Sequence, residues 1–433
     1  MRRRSLAALV AALPLLVAAL PSTADPLTLS EAFARATASN LTLERARREL
    51  PAADAQRKAM LAALLPKVSV GANLGLNSTE VSFGDPPDEA LVLPKKDWDY
   101  RVVATQPLFA GLREKRAYDQ AKLAVKGAAE TGRGAEEDVL LQVASAFSAA
   151  ASAKALVEVE ARNVALVEQR KKQAKDLYEA GETTRVDLLR AEADGKAVEE
   201  RLVTARQLLE EALGRLRVAL ALDGELDVDV ESALLPALPP GTELLASALA
   251  RADVKQAELA LESASLEVKK QQGAHLPVVY AEGGWIQQKR AFPVSEYAYG
   301  ALRFGLDVFR GGEVVARVAQ ARERETQARL ALEELRRTAK EEVRVALHAV
   351  EAARARVRLA DERLVAAQAD YDQTFDQYRS QLLTALDLSS AETSLADARR
   401  GRISARLGLF LAEVRTFHAA GVLAPAARKE TAR

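Results

Sequence analysis

Two long stretches without proline constrain this chain more than anything else in it. Pro107 is followed by no proline until Pro236, and Pro293 by none until Pro425. Proline lacks a backbone N–H and clashes with the preceding turn, so its absence permits long helices. Both stretches are rich in Ala, Leu, Glu, Arg and Gln, the strong helix formers. Prolines gather outside them, at Pro86, Pro87 and Pro94 and again at Pro236, Pro239 and Pro240. Two helices are expected over 112–178 and 312–378, each about 100 Å long at 1.5 Å per residue.

The two halves share their punctuation. Leu65-Pro66-Lys67-Val68 returns as Leu276-Pro277-Val278-Val279, and Pro107-Leu108-Phe109-Ala110-Gly111 as Asp307-Val308-Phe309-Arg310-Gly311. Tyr178-Glu179-Ala180-Gly181 with Val186-Asp187-Leu188-Leu189 returns as Tyr378-Arg379-Ser380-Gln381 with Leu386-Asp387-Leu388-Ser389. From Phe109 and Phe309 onward the offset is a constant 200 residues, the mark of a duplicated unit. A first repeat over 25–222 and a second over 243–420 are expected, joined by a segment over 223–242 and followed by a tail over 421–433. Each repeat holds a first helix, a strand pair, the long helix, a reversal and a return helix over 184–222 or 384–417. The first helices are placed at about Leu29–Leu65, where Pro51 should kink or interrupt the run, and at about Glu243–His275.

The strand pairs, over 68–109 and 278–309, announce themselves by period-two alternation. Val68, Val70, Ala72, Leu74 and Leu76 alternate with Ser69, Gly71, Asn73 and Gly75, and the partner runs from about Trp98 to Phe109 with Tyr100, Val102 and Ala104 on one side. In the second repeat, Val278–Gln287 pairs with Tyr297–Val308, where Leu302, Phe304 and Leu306 alternate against Tyr299, Ala301 and Arg303. Strands of roughly 10 to 12 residues can cross a bilayer when tilted, or form a soluble hairpin; alternation alone admits both. Glu80–Lys96 and Gln288–Ser295, between the paired strands, read as solvent loops.

On the second long helix, Val343, Ala346, Val350, Ala353, Val357, Ala360, Leu364, Ala367, Tyr371, Thr374 and Tyr378 step by threes and fours. Large side chains fall on one site and small ones on the other, which suits a narrow coiled-coil-like seam with a neighbouring helix.

The first residues, Met1-Arg2-Arg3-Arg4, an apolar run from Leu6 to Leu20 and then Ser22-Thr23-Ala24, read as a cleavable signal peptide over 1–24. Without cysteine there is neither a disulfide staple nor a thiol to acylate. After residue 24 no apolar stretch approaches the length of a membrane helix, so a membrane crossing would have to use strands. Lys+Arg and Asp+Glu balance at 61 each, leaving no basic surplus for nucleic acid. His275, His348 and His418 stand alone, and there is no nucleophile elbow, phosphate loop or dinucleotide fingerprint. Nothing here asks for an enzyme, a metal or a cofactor.

Together these features resemble the TolC-type outer-membrane efflux proteins. The residues that carry the likeness are the doubled helix, strand pair and long helix; Leu-Pro before the first strand; Phe-x-Gly after the second; and Tyr-x-x-Gly then Asp-Leu-Leu at the reversal. The likeness extends from about Leu29 to about Gly421. It implies a homotrimer in which each chain adds four strands to a twelve-stranded barrel in the outer membrane lipid of a Gram-negative bacterium. The long helices would continue as a periplasmic tunnel, met by a periplasmic adaptor protein and an inner-membrane pump of an efflux or type I secretion system. This agrees with a physical requirement: four strands cannot close a barrel, and an open sheet edge is not tolerated in lipid.

The resemblance also implies that the reversals form the periplasmic entrance. Asp387 and Asp187 would ring the pore, with Tyr378 and Tyr178 on the preceding helices and Gly181 and Gln381 at turns that meet the adaptor. Aspartate at a helix start is equally a cap; both roles stand for Asp187, and the ring is preferred for Asp387. Ser390 stands where the best-known member has a second pore aspartate, which predicts a looser, less cation-selective gate. Gln381 replaces the glycine that Gly181 keeps, leaving the second turn's shape open. The other reading is a periplasmic adaptor or structural protein, which should carry one helical hairpin between β-rich ends rather than two long-helix copies.

Overall fold

The computed structural model describes residues 26–84, 90–232, 235–291, 294–380 and 382–431; the expected signal peptide and Gln381 lie outside them. The order is α1 (Leu29–Ser39), α2 (Leu41–Ala62), β1 (Lys67–Leu76), β2 (Val81–Phe83), β3 (Ala90–Leu93), β4 (Lys96–Ala110), α3 (Arg113–Glu179) and α4 (Arg185–Leu220). It continues with α5 (Gly241–Ala248), α6 (Ala252–Gln272), β5 (Val278–Gln288), β6 (Glu296–Gly305), α7 (Glu313–Arg379), α8 (Ala385–Ala419) and α9 (Leu423–Thr431).

Each proline-free stretch holds an unbroken helix of 67 residues, α3 in the first and α7 in the second. α4 folds back on α3, and α8 on α7. Every position of the seam from Val343 to Tyr378 is buried or half-buried and most residues between them are exposed, so a narrow stripe does face a partner helix.

The first helices differ from expectation. Pro51 lies inside α2, exposed, and the helix runs through it. The break falls at Asn40, whose side-chain oxygen accepts from the amides of Thr42 and Leu43 while its Nδ2 donates to the Ala219 carbonyl at 2.7 Å. A cap fixed by a distant backbone ends a helix more firmly than the loss of one hydrogen bond at an exposed proline. The second copy is divided too, between α5 and α6, where extended Arg251 bonds Asp253 at 2.8 Å and the Ala419 carbonyl at 3.1 Å. A 3-10 turn, Gly273–His275, closes it.

The strands form one antiparallel sheet in the order β1-β4-β5-β6. Register places Val68, Val70 and Leu74 opposite Ala104, Val102 and Trp98, Val102 opposite Trp285, and Ala281 and Val279 opposite Leu302 and Phe304. One face is therefore apolar. The other carries Asn73, Asp99, Arg101, Glu282, Tyr299 and Arg303, joined by Arg101–Asp99 at 2.7 Å, Arg303–Glu282 at 2.8 Å and Tyr299 donating to Glu282 at 2.8 Å. Two expectations are corrected. The segment read as the loop Glu80–Lys96 contains the β2–β3 hairpin, and β6 stops at Gly305 rather than reaching Val308.

A core at mid-height joins both repeats. Phe33 of α1, Leu140 and Phe147 of α3, Leu216 and Leu220 of α4, Phe410 and Phe417 of α8 and Leu423 of α9 pack together. This explains a departure from the sequence reading: α3 contains an 18-residue window apolar enough to cross a membrane, but it is over half buried in protein. The tail is the helix α9. Its first amides, of Leu423 and Ala424, donate to the buried Glu137 carboxylate at 2.9 and 3.0 Å, and neighbouring pairs are Arg428–Glu136 at 2.6 Å and His418–Asp138 at 2.9 Å.

Candidate functional site: the two helix reversals

The first reversal closes as a glycine C-cap. Gly181 has φ +75°, a conformation open to glycine without cost. Its N–H donates to the Tyr178 carbonyl at 3.0 Å, and Glu182 N–H reaches the Leu177 carbonyl at 2.9 Å. The second reversal has the same closing bond, Leu382 N–H to the Gln377 carbonyl at 2.9 Å. The loss of glycine at Gln381 therefore leaves that bond in place.

Both aspartates sit three residues after a threonine N-cap. The Asp187 carboxylate accepts from the hydroxyls of Thr183 at 3.0 Å and Thr184 at 2.7 Å. Asp387 accepts from the Thr384 hydroxyl at 2.6 Å and its N–H at 3.0 Å, completing a capping box. The threonine hydroxyls hold both carboxyls below their ordinary range. Capping is thus the role visible within one chain for both residues, including Asp387. Asp387, Ser390 and Tyr178 are exposed, while Asp187 and Tyr378 are half-buried. Burial raises the Tyr378 hydroxyl, whose surroundings include Arg170, Asp187 and Glu392. Asp187 and Tyr378 therefore belong to one electrostatic neighbourhood.

Above the reversals lies a buried charge network that sequence reasoning missed. The Arg170 side chain, 5% exposed, pairs with Asp194 of α4 and, at 3.0 Å, with Glu392 of α8. Ser389 donates to Asp194 at 3.3 Å, and burial pushes the Glu392 carboxyl up against the opposing pull of Arg170. Higher on the same helices, Glu160, 2% exposed, pairs with Arg400 at 3.0 Å. α3 thus offers α8 an acid above and a base below, and α8 answers with the opposite order. The signal was available: Glu160, Asn163, Val167, Arg170 and Ala174 keep seam spacing, so three polar residues occupy positions that normally take apolar ones. Among the described residues no group of acids, histidines or cysteines could hold a metal ion.

A sheet with one apolar face, carried on a pair of very long helical hairpins whose tips are capped by acids, defines the subunit of a membrane-anchored helical duct. Comparison with known proteins agrees. The sequence profile of the outer membrane efflux protein family matches residues 33–222 and 244–422, and the chain belongs to that family. It is 24% identical over 335 residues to the outer membrane efflux protein BepC of Brucella suis, covering 75% of this chain and 73% of BepC. Its fold is similar to that of VceC from Vibrio cholerae, with TM-score 0.76, 17% identity and coverage of 91% and 96% of the two chains. It is also similar to the MtrE outer membrane channel of Neisseria gonorrhoeae in its open state, with TM-score 0.77, 19% identity and coverage of 92% and 89%. The protein is an export duct of the outer membrane with a large helical part on the periplasmic side.

Proposed function

We propose that three copies assemble so that their sheets close one twelve-stranded barrel in outer membrane lipid, while α3, α4, α7 and α8 of each wall a periplasmic tunnel. A periplasmic adaptor and an inner-membrane pump engage the reversal end, around Gly181 and Gln381, and energise passage; the duct itself does no chemistry. The observation that supports this most is the sheet: its apolar face suits lipid, and among the described residues β1 and β6 each have an outer edge without a strand partner, where strands of neighbouring copies would continue it. Extraction from membranes as a detergent-resistant trimer, and co-purification with an adaptor and pump, are the expected results. A soluble monomer would end the proposal.

At the entrance, Asp387 contributes a threefold ring of carboxylates, seconded by Asp187, with Tyr378 and Tyr178 bordering it and Ser390 leaving one turn of α8 uncharged. Negative charge focused in a constriction favours cations. Asp387→Asn should reduce the cation preference of single channels in planar bilayers. Unchanged selectivity would leave Asp387 as a cap alone.

A further inference from the structure

The duplication supplies a template for a contact that one chain cannot make. Within the chain, β4 of the first repeat pairs with β5 of the second. An offset of 200 residues carries β4 onto β6, and an offset of 211, set by Leu65-Pro66 and Leu276-Pro277, carries β5 onto β1. From this we infer that β6 of one protomer pairs antiparallel with β1 of the next in one defined register: Leu302 opposite Leu74, Arg303 opposite Asn73 and Phe304 opposite Ala72. The inference rests on the trimeric reading and adds its residue-by-residue seam.

Three independent observations agree with that register. First, faces match. Leu302 and Phe304 were placed on the apolar face by pairing with β5, and Ala72 and Leu74 by pairing with β4, without reference to each other. A slip of one residue would turn one strand's apolar side chains inward. Second, charges match. Asn73 lies opposite Asp99 and bonds it at 2.9 Å, so the register sets Arg303 in a row that contains a carboxylate. A slip of two residues toward Gly71 would set it in the row of Arg101. Third, β4 continues to Ala110 because β5 pairs it as far as Val278, whereas β6 stops at Gly305, where β5 ends. The following Val308 and Phe309 are 90% and 87% exposed. With the shift that β4 shows between Pro107 and Phe109, the proposed register lays the segment 306–309 beside Val68–Val70 of the neighbour, which would extend β6 as β4 is extended.

The chain has no cysteine, so introduced pairs can be read without background. Opposed residues on antiparallel strands lie about 4.5 to 5.5 Å apart between Cα atoms, within reach of a disulfide. In the full-length protein in outer membranes, Leu74→Cys with Leu302→Cys should oxidise to a covalent trimer. Asn73→Cys with Arg303→Cys should do the same if the first pair disturbs assembly. Leu302→Cys combined with Ala72→Cys or Leu76→Cys should cross-link at least several-fold less. Stronger cross-linking in either offset pair would overturn the register while leaving the trimer standing. Trimers resistant to detergent but cross-linked by no pair would likewise overturn it. A monomer cross-linked by none would remove the trimeric reading as well.

Discussion

At the scale of single residues, the most consequential side chains are charged ones placed where apolar ones are usual. Arg170 is buried beside Asp194, which is partly exposed, and Glu392, which is 11% exposed, so removing the guanidinium leaves the Glu392 carboxylate desolvated and unpaired. Arg170→Met should lower stability by about 3 to 5 kcal/mol in thermal or denaturant unfolding, and adding Glu392→Leu should recover most of it. The reversal aspartates carry a pH dependence of opposite origin. Their carboxyls are held below the ordinary range by threonine hydroxyls. Their contribution is therefore complete above the unfolded value of about 3.9 and is lost as pH falls through the lower folded value. Amide exchange at the first turns of α4 and α8 should accelerate only below about pH 4, and Asp187→Asn with Asp387→Asn should flatten that dependence.

At the scale of elements, much was legible because it depended on local chemistry. Missing prolines allowed α3 and α7, alternation marked the strands, and Asp187 and Asp387 marked the starts of α4 and α8, though the threonine caps three residues before them emerged only in the structure. What was not legible depended on distant partners. Asn40 ends α1 through a bond to Ala219, far along the chain, so local rules pointed to Pro51 instead. β6 ends at Gly305, opposite the first residue of β5, and among the described residues no strand lies along its outer edge. The acids at the tips were legible as candidates, but the Arg170 network was obscured because charged seam residues look like solvated ones until two helices from different repeats are brought together.

Two glycines show how context sets the cost of one change. Gly111 has φ +63°, and a Cβ there would meet the Gly273 carbonyl oxygen at 2.0 Å; Gly181 has φ +75° and nothing within 4 Å. Gly181→Ala should cost only conformational strain, about 1 to 2 kcal/mol. Gly111→Ala should cost distinctly more and deplete assembled protein from outer membranes, as read by detergent-resistant trimer on gels.

At the scale of the whole molecule, α9 is a structural member rather than an appendage. Leu423, Ala424, Ala426 and Ala427 complete the core that contains Phe33 and Phe147, and the α9 amides satisfy buried Glu137. Deleting everything after Ala420 should abolish assembled protein, while Glu137→Gln, which keeps one acceptor oxygen, should only lower its thermal stability. The shared core also has a bearing on how such a chain matures. Leu27 and Ala427 lie in one cluster, so the middle of the molecule cannot close until α9 is in place. Until then Phe33 and Phe147, which share that cluster, keep apolar surface open to water.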